Sequence, residues 1–251
     1  MAAPLQTRGS TSAAYRDAFR AVTSLWRETG LVALALIVQS LLSARMSGSK
    51  NSSGSLTAAL IEIAVTVLLV PYTMAIYRHV LGLRPESAQT LLNEAMRRKD
   101  LIAYHLGWFL IGILWARVAI LPMAALGLLM IPAFVLTIWL TSRLFTVGPT
   151  LAIEGLEVTP QAAFRATAGQ VWTIFYIGFR VALPLVALAL LLGILVFASS
   201  DQPAGRAGTP PSILTEILIL PFSLFGLVLR AVLEAQIFRE LGLFSPRREV
   251  E

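Results

Sequence analysis

Six long apolar runs constrain this chain more than any other feature of its sequence. They occupy residues 30–44, 56–77, 101–120, 122–140, 171–198 and 212–238. A helix needs roughly 20 residues to cross a bilayer core of about 30 Å. Because 57% of the 251 residues are hydrophobic and only 14% are charged, too little polar surface remains to solvate a globule in water. We therefore predict an all-α fold, a polytopic transmembrane helical bundle of about six spans.

The first run is the weakest of the six, because it is short and contains Gln39, Ser40 and Ser43. A cleaved signal peptide is the alternative interpretation, but a polar leader of nearly thirty residues precedes the run and no Ala-x-Ala cleavage pattern follows it. We predict a cytoplasmic leader with an interfacial amphipathic helix over residues 1–29. A six-span membrane domain should follow over residues 30–240, with a cytoplasmic tail over residues 241–251.

Basic residues are distributed unevenly among the segments that flank and connect the runs. Fourteen arginine and lysine residues fall at the two termini and in the even-numbered connections, whereas four (Arg45, Lys50, Arg117 and Arg206) fall in or beside the odd-numbered ones. Since cytoplasmic loops retain Lys and Arg during insertion, both termini are predicted to be cytoplasmic. The net charge of +6 then favours contacts with anionic lipid headgroups over binding of nucleic acid.

A short motif recurs ahead of each successive pair of runs. It reads Ala18-Phe19-Arg20, Ala95-Met96-Arg97 and Ala163-Phe164-Arg165. Each pair of runs also ends on an arginine, namely Arg78, Arg143 and Arg239. The pattern predicts three copies of one unit, an interfacial amphipathic helix followed by a membrane hairpin. Chance recurrence of such triplets beside membrane helices is the alternative.

The leader segments carry their own helix signals. In the first leader, apolar residues recur at intervals of three and four, which predicts an amphipathic helix lying along the membrane surface. They are Tyr15, Ala18, Phe19, Val22, Leu25 and Trp26. In the third leader, Thr159 followed by Pro160 predicts a helix that begins with a threonine cap and a proline in its first position.

One segment resembles a known family. It reads Arg143-Leu-Phe-Thr-Val-Gly-Pro149-Thr-Leu-Ala-Ile-Glu154-Gly155, followed by Thr159-Pro-Gln-Ala-Ala-Phe-Arg165 and the next run. This resembles the polytopic membrane domain that is fused to some bacterial glycerophosphodiester phosphodiesterases and also occurs as stand-alone six-span proteins. The resemblance covers mainly residues 140–180 and implies a six-span fold in a bacterial inner membrane. The soluble catalytic domain of those phosphodiesterases, with its acidic and histidine metal site, has no counterpart in this chain.

The same segment predicts a local ion pair. Its family-like Arg-x5-Pro-x4-Glu spacing suggests that Pro149 interrupts the helix and turns the chain back, so that Glu154 pairs with Arg143.

Catalytic motifs are scarce. There is no cysteine, and His79 and His105 are the only histidines, neither of them within a metal-ligand or hydrolase motif. We expect His79 to be solvated at the membrane interface and His105 to make structural hydrogen bonds. The sequence therefore predicts a protein that is not an enzyme and that holds no cofactor or metal.

Charged residues inside the runs are the strongest local signal, because each costs several kcal/mol at the bilayer centre unless it is paired. Glu62, Arg117 and Glu216 lie towards one side of the membrane, and Arg180, Arg230 and Glu234 towards the other. Arg230 and Glu234 share a helix face at four-residue spacing. We predict that Glu234 bridges Arg180 and Arg230 as a buried structural cluster; a substrate or ion path is the alternative.

Two functions are compatible with these features. The first is a non-enzymatic accessory or scaffold factor that engages membrane lipids, other membrane proteins or a second copy of the chain. The second is a small transporter or channel with a polar path between the repeated hairpins. The absence of a dense acidic or histidine relay from the runs favours the first.

Overall fold

In the described part of the chain, every regular element is an α-helix. The computed structural model describes residues 10–47, 52–84, 86–118, 123–154, 156, 158–199 and 213–244. The helices are α1 (Ser10–Ser24), α2 (Trp26–Ser47), α3 (Ser52–Val80), α4 (Ala88–Arg97), α5 (Lys99–Val118), α6 (Met123–Leu144), α7 (Val147–Ala152), α8 (Pro160–Ala166), α9 (Val171–Ser199) and α10 (Ile213–Glu240). The predicted all-α class is confirmed.

Four stretches of these helices are long and apolar enough to cross a membrane. They are Ala59–Val80, Pro132–Ala152, Val171–Ile194 and Leu220–Glu240. A fifth span is present if Thr11–Ser24 and Trp26–Leu42, which meet at a 90° bend, form one broken span. The predicted third run coincides with α5, but charged Lys99 and Asp100 open that helix and its described side chains end at Gly112. A count of six spans therefore stays a prediction.

The order of helices follows the predicted three-unit pattern. A short helix precedes two long ones three times: α1 before α2 and α3, α4 before α5 and α6, and α8 before α9 and α10. The predicted cap of α8 is present, since Thr159 Oγ1 accepts a hydrogen bond from the backbone N–H of Ala162 at 3.2 Å and Pro160 opens the helix. Helix α4 is capped in the same way by Ser87 and the N–H of Thr90, at 3.1 Å.

The alanine of the repeated motif is buried in all three units. Ala18, Ala95 and Ala163 have essentially no exposed surface, whereas Phe19 and Met96, which follow two of them, are exposed. A small residue lets the backbone of a leader helix approach the helices beneath it, which is how membrane helices commonly pack. The feature that the three copies of the motif share is therefore a buried alanine at a close-packed position.

Helix α1 shows what this close packing achieves. Its buried face is formed by Ala14, Ala18 and Ala21, and it lies against α9 and α10. The Tyr15 hydroxyl donates to the carbonyl oxygen of Val181 at 2.8 Å, and the side-chain amide of Gln236 donates to Asp17 at 2.7 Å. The predicted apolar stripe is largely present, since Tyr15, Val22 and Leu25 pack against the core beside Ala18. Phe19 and Trp26 are the exceptions, with exposed side chains, although the Phe19 ring still contacts that of Phe225, with centroids 5.0 Å apart.

Helices α3 and α10 share the same ending and together form the centre of the bundle. Gly82 and Gly242 have positive φ values of 72° and 68°, and the following leucines donate back to the carbonyl oxygens of Arg78 and Phe238. Glycine adopts this left-handed conformation without strain, so it closes the helix. If Gly82 is aligned with Gly242, Arg78 corresponds to Phe238. The sequence motif had matched Arg78 with Arg239, which is one residue further along.

The second half of each central helix is buried almost continuously. On α3 the buried stretch runs from residue 70 to residue 77 with one break, and on α10 it runs from residue 228 to residue 238 with one break at Arg230. Helices α2, α5 and α9 surround this pair, and α7 packs against both of its members. The core therefore lies where the first and third units meet, with part of the second unit against it.

Candidate functional site

Glu234 is the only fully buried carboxylate among the described residues, and side chains from two other helices converge on it. Only 1% of its side chain is exposed. Arg230, one turn earlier on α10, donates from Nε to Oε1 at 2.8 Å. Tyr77 of α3 donates its phenolic proton to Oε2. The Tyr104 hydroxyl of α5 lies 3.4 Å from Oε1 and 3.2 Å from the carbonyl oxygen of Leu144, and can donate to either. We call these four residues the Glu234 cluster.

Two groups contact the guanidinium of Arg230. Its carbon atom Cζ lies 3.8 Å from the centroid of the Trp108 ring, close enough for a strong cation–π contact. The carboxylate of Glu234 neutralises its charge from the other side. A buried pair of this kind is tolerated when further hydrogen bonds satisfy the remaining lone pairs, and here the two phenols supply them. The pair adds no net charge to the interior.

Gly148 of α7 leaves room for the cluster. A Cβ atom at this position would lie 2.7 Å from the Tyr77 hydroxyl oxygen, 3.0 Å from Cε1 of Tyr104 and 3.1 Å from Oε2 of Glu234. Any other residue would therefore push against the phenol–carboxylate bond itself. The helix carrying Gly148 begins at residue 147, directly after a break at residues 145–146 that ends α6.

The prediction for Pro149 was wrong. Pro149 was expected to interrupt the helix, but the break precedes it and Pro149 lies in the first turn of α7. The N–H groups of a first turn have no partner within the helix, so proline is tolerated there. The helix ends three residues later, at Ala152, and Ile153 is extended.

His105 completes the polar surroundings of the cluster and behaves as predicted. One ring nitrogen lies 2.9 Å from the Thr73 hydroxyl and the other 2.9 Å from the carbonyl oxygen of Leu101. Its ring also stands edge-on to that of Tyr104, with centroids 5.3 Å apart. The imidazole therefore helps to hold Tyr104 against α3.

A cavity of about 340 Å³ lies beside the cluster, between α5, α6, α9 and α10. Arg230 reaches its wall and has 37% of its side chain exposed there. Most of the other lining residues are apolar, and Thr141 and Ser142 are polar exceptions. The cluster thus presents the outer face of a neutralised guanidinium to this cavity and keeps its carboxylate behind it.

Arg180 does not belong to the cluster, contrary to prediction. Its side chain is exposed on α9, and the places predicted for it around Glu234 are taken by the two phenols. Arg180 lies nine residues into its helix. At that position the aliphatic part of the Arg180 side chain can extend along the helix so that the guanidinium reaches water, and an ion pair is not required.

The predicted pair between Arg143 and Glu154 is also wrong. Glu154, which is 77% exposed, lies 2.9 Å from Nη2 of Arg98 instead. Arg98 also donates to Glu94 and, at 2.7 Å, to the carbonyl oxygen of Leu151. Because Arg98 lies between α4 and α5 while Leu151 lies in the last turn of α7, these bonds join elements that are far apart in sequence.

Arg143 is stabilised by aromatic rings. Its guanidinium carbon lies 4.3 Å from the ring centroid of Phe164 and 5.7 Å from that of Trp139. Phe164 is the aromatic residue of the third repeated motif, so this contact ties the end of the second unit to the leader of the third. Nε of Arg143 is buried and has no hydrogen-bond partner among the described residues.

The remaining predicted residues are not brought to the cluster. Glu62 is half-buried on α3, and its carboxylate has no ion pair within the described residues. The side chains of Arg117 and Glu216 lie outside the part of the chain that the structure describes. In that part, no three histidine, aspartate or glutamate residues come together as metal ligands.

Sequence reasoning missed a chain of ion pairs that runs from the end of α3 past α4 to the start of α5. Arg78 donates to Glu86 and lies 3.4 Å from Glu94, and Glu94 accepts from Arg98. With Glu154 at its far end, this ionic chain contains three carboxylates and two guanidinium groups. Arg78 and Arg98 were read as topology signals alone. The acidic residues spaced within a few positions of them were the available clue.

Comparisons with known proteins add no relative. No protein-family model, curated protein or solved structure matches this chain. The resemblance to the membrane domain of glycerophosphodiester phosphodiesterases therefore stays a prediction.

Proposed function

We propose that this chain is a non-enzymatic integral protein of a bacterial inner membrane that acts as an accessory or scaffold factor for lipids and partner membrane proteins. The observation that carries the proposal is the closure of the Glu234 cluster. A path for ions or polar solutes needs charged groups that water can reach. Here the carboxylate is 1% exposed and is saturated by one cation and the phenols of two other helices. Such a group holds helices together.

The exposed surface supports a role that depends on lipid contact. Helix α9 turns a row of large apolar side chains outwards, among them Leu183, Val186, Leu190 and Ile194. Exposed tryptophans lie at the start of α2, near the end of α6 and at the start of α9. If successive spans alternate in direction, these three ends share one side of the membrane. Tryptophan is enriched at membrane interfaces, and the basic residues that predict a cytoplasmic face lie at the same ends.

Thiol accessibility distinguishes this proposal from the transporter alternative. The chain has no cysteine, so each variant carries a single thiol. Ser142→Cys and Ala182→Cys place it in the cavity beside Arg230, and Ala168→Cys places it on an exposed connection as the matched control. In vesicles of both orientations, a charged, water-soluble thiol reagent should label Ala168→Cys and leave the two cavity thiols unlabelled until the protein is denatured. Labelling of the cavity thiols at the rate of the control would favour a water-filled path and overturn the proposal.

A further inference from the structure

Two adjoining cavities lie at the start of α2. The first, of about 290 Å³, is a mostly apolar groove between α2, α3 and α4, lined by residues that include Leu31, Ala35, Val65 and Leu68. The second, of about 250 Å³, also has apolar walls but includes the polar side chains of Ser24, Arg78, His79 and Glu86. The two cavities share wall residues at Glu28 and Leu91, so an apolar groove adjoins a space that contains charged groups.

The direction of the groove matches that of a lipid. Glu28 lies two residues into α2, and the lining residues of α2 then run on to Ala35. On α3, the lining residues run from Tyr72 back to Val65, which is about 10 Å along a helix axis. Both helices thus lead from the helix ends that carry the basic residues towards the middle of their apolar stretches. Leu31 and Leu68 on the rim are exposed, so the groove is open at its side.

The charges around the second cavity favour a cationic group. Two carboxylates, those of Glu28 and Glu86, line this cavity against one guanidinium group, that of Arg78. Glu28 is half-buried and forms no ion pair among the described residues. Its neighbour Arg27 is directed instead over the Trp26 ring, with its guanidinium carbon 5.3 Å from the centroid. An anionic headgroup would meet an excess of acid here, whereas an ammonium would find an unpaired acceptor.

The same cavity also offers donors for a phosphate. The side chains of Arg78 and His79 line it, and the Ser24 hydroxyl lies 3.4 Å from the ring of His79. These groups stand beside the carboxylates of Glu28 and Glu86, so the cavity suits a group that carries both signs of charge.

We propose that these two cavities bind one phospholipid with a primary ammonium headgroup, such as phosphatidylethanolamine. An acyl chain lies in the groove, the ammonium donates to Glu28, and the phosphate lies near Arg78 and His79. The inference rests on the proposed lipid-dependent role and names the lipid class and the site for it. The Glu234 cluster and its cavity share no residue with these two cavities and take no part.

Lipid retention by the full chain tests the site. The protein is purified in mild detergent, mixed with equal amounts of phosphatidylethanolamine, phosphatidylcholine and phosphatidylglycerol, and analysed by native mass spectrometry. We expect phosphatidylethanolamine to be retained preferentially. Phosphatidylcholine keeps the positive charge but has no N–H group, and phosphatidylglycerol has no cation. Equal retention of all three, or preference for phosphatidylglycerol, would overturn the proposal without touching the thiol-accessibility result on which the proposed function depends.

Two variants locate the site. Glu28→Gln should lower phosphatidylethanolamine retention by roughly tenfold, as expected for the loss of one charge-assisted hydrogen bond, and should lower phosphatidylcholine retention less, because that lipid loses only the attraction between charges. Ala35→Phe, which fills the groove, should lower retention of every lipid at this site. Glu62→Gln is the matched control, because Glu62 is also half-buried and without an ion pair but lies in neither cavity. If Glu28→Gln retains phosphatidylethanolamine as the parent does, or if Glu62→Gln loses it equally, the assignment is wrong.

Discussion

At Gly148, the addition of a single methyl group would produce a direct contact with the Glu234 cluster. In Gly148→Ala the new methyl group would lie 2.7 Å from the Tyr77 hydroxyl oxygen, so the phenol or α7 must move. Overpacking of this kind costs about 1–3 kcal/mol, and we expect a matching fall in the thermal midpoint of the detergent-solubilised protein. Gly107→Ala and Gly112→Ala are controls, because nothing lies within 4 Å of a Cβ at either position.

A second variant shows whether the clash is with the phenol. Tyr77→Phe removes the oxygen that the methyl group would touch, but also a hydrogen bond to Glu234, so the double variant should be less destabilised than the sum of the two single variants. If the double variant is as unstable as the sum of the two single ones, the damage comes from α7 itself and not from contact with the cluster.

At the residue scale, sequence reasoning succeeded where the partners share a helix. The four-residue spacing of Arg230 and Glu234 predicted their pair, and the structure has it at 2.8 Å. The rest of the cluster was missed because Tyr77 and Tyr104 look like ordinary aromatic residues of apolar runs. Their meeting depends on how α3 and α5 pack against α10, which spacing within one helix does not encode. The errors over Arg180 and Glu154 have the same origin, since the observed partners come from distant elements.

At the element scale, the repeated alanines make a prediction about the leader helices. Ala18→Leu and Ala163→Leu insert bulk where a leader helix meets the bundle without free space, and each should destabilise the protein by about 1–3 kcal/mol. Met96→Leu, at an exposed position of the second motif, is the control and should have little effect. Thermal unfolding in detergent measures all three. Equal stability of Ala18→Leu and the parent would mean that α1 does not dock through its alanine face.

The helices themselves were largely predictable, and their packing was not. Apolar runs, a Thr-Pro cap and the three motifs predicted the order of short and long helices, because these signals are local. Helix α7 was not predicted, since Pro149 was taken as a helix breaker when it occupies a first turn. On α1 the predicted stripe was right except for Phe19 and Trp26, which are exposed. Hydrophobicity favours these large side chains, whereas close approach to α9 and α10 selects the alanines.

At the scale of the whole molecule, the distribution of arginine and lysine predicts the topology. Single cysteines at Asn51 and Gly205 should react with an impermeant thiol reagent added to intact cells. Cysteines at Ala88 and Ser245 should react only after permeabilisation, because basic flanking segments stay on the cytoplasmic side. Inverted accessibility would contradict the orientation. Accessibility of Ser245→Cys from outside, with Ala88→Cys protected, would contradict an even number of spans between residues 88 and 245.

The Glu234 cluster is also a feature of the whole molecule, because its parts come from all three repeated units. Tyr77 belongs to the first unit, Tyr104 and Trp108 to the second, and Arg230 and Glu234 to the third. A single carboxylate therefore links three hairpins that are separate in sequence. If the cluster serves as a structural lock, its removal should matter less than its disruption, since a stranded buried cation is costlier than an apolar replacement of the pair.

The stability of three variants in detergent tests most directly whether the Glu234 cluster holds the three units together. Glu234→Ala leaves the Arg230 guanidinium and the Tyr77 hydroxyl without their acceptor, and should lower the free energy of unfolding by about 3–5 kcal/mol. The double variant Arg230→Met with Glu234→Leu leaves no unpaired charge and should lose clearly less. Arg180→Gln, at an exposed position, should resemble the parent. A Glu234→Ala protein as stable as the parent, or a double variant less stable than Glu234→Ala, would contradict the role of Glu234 as the bond between the three units.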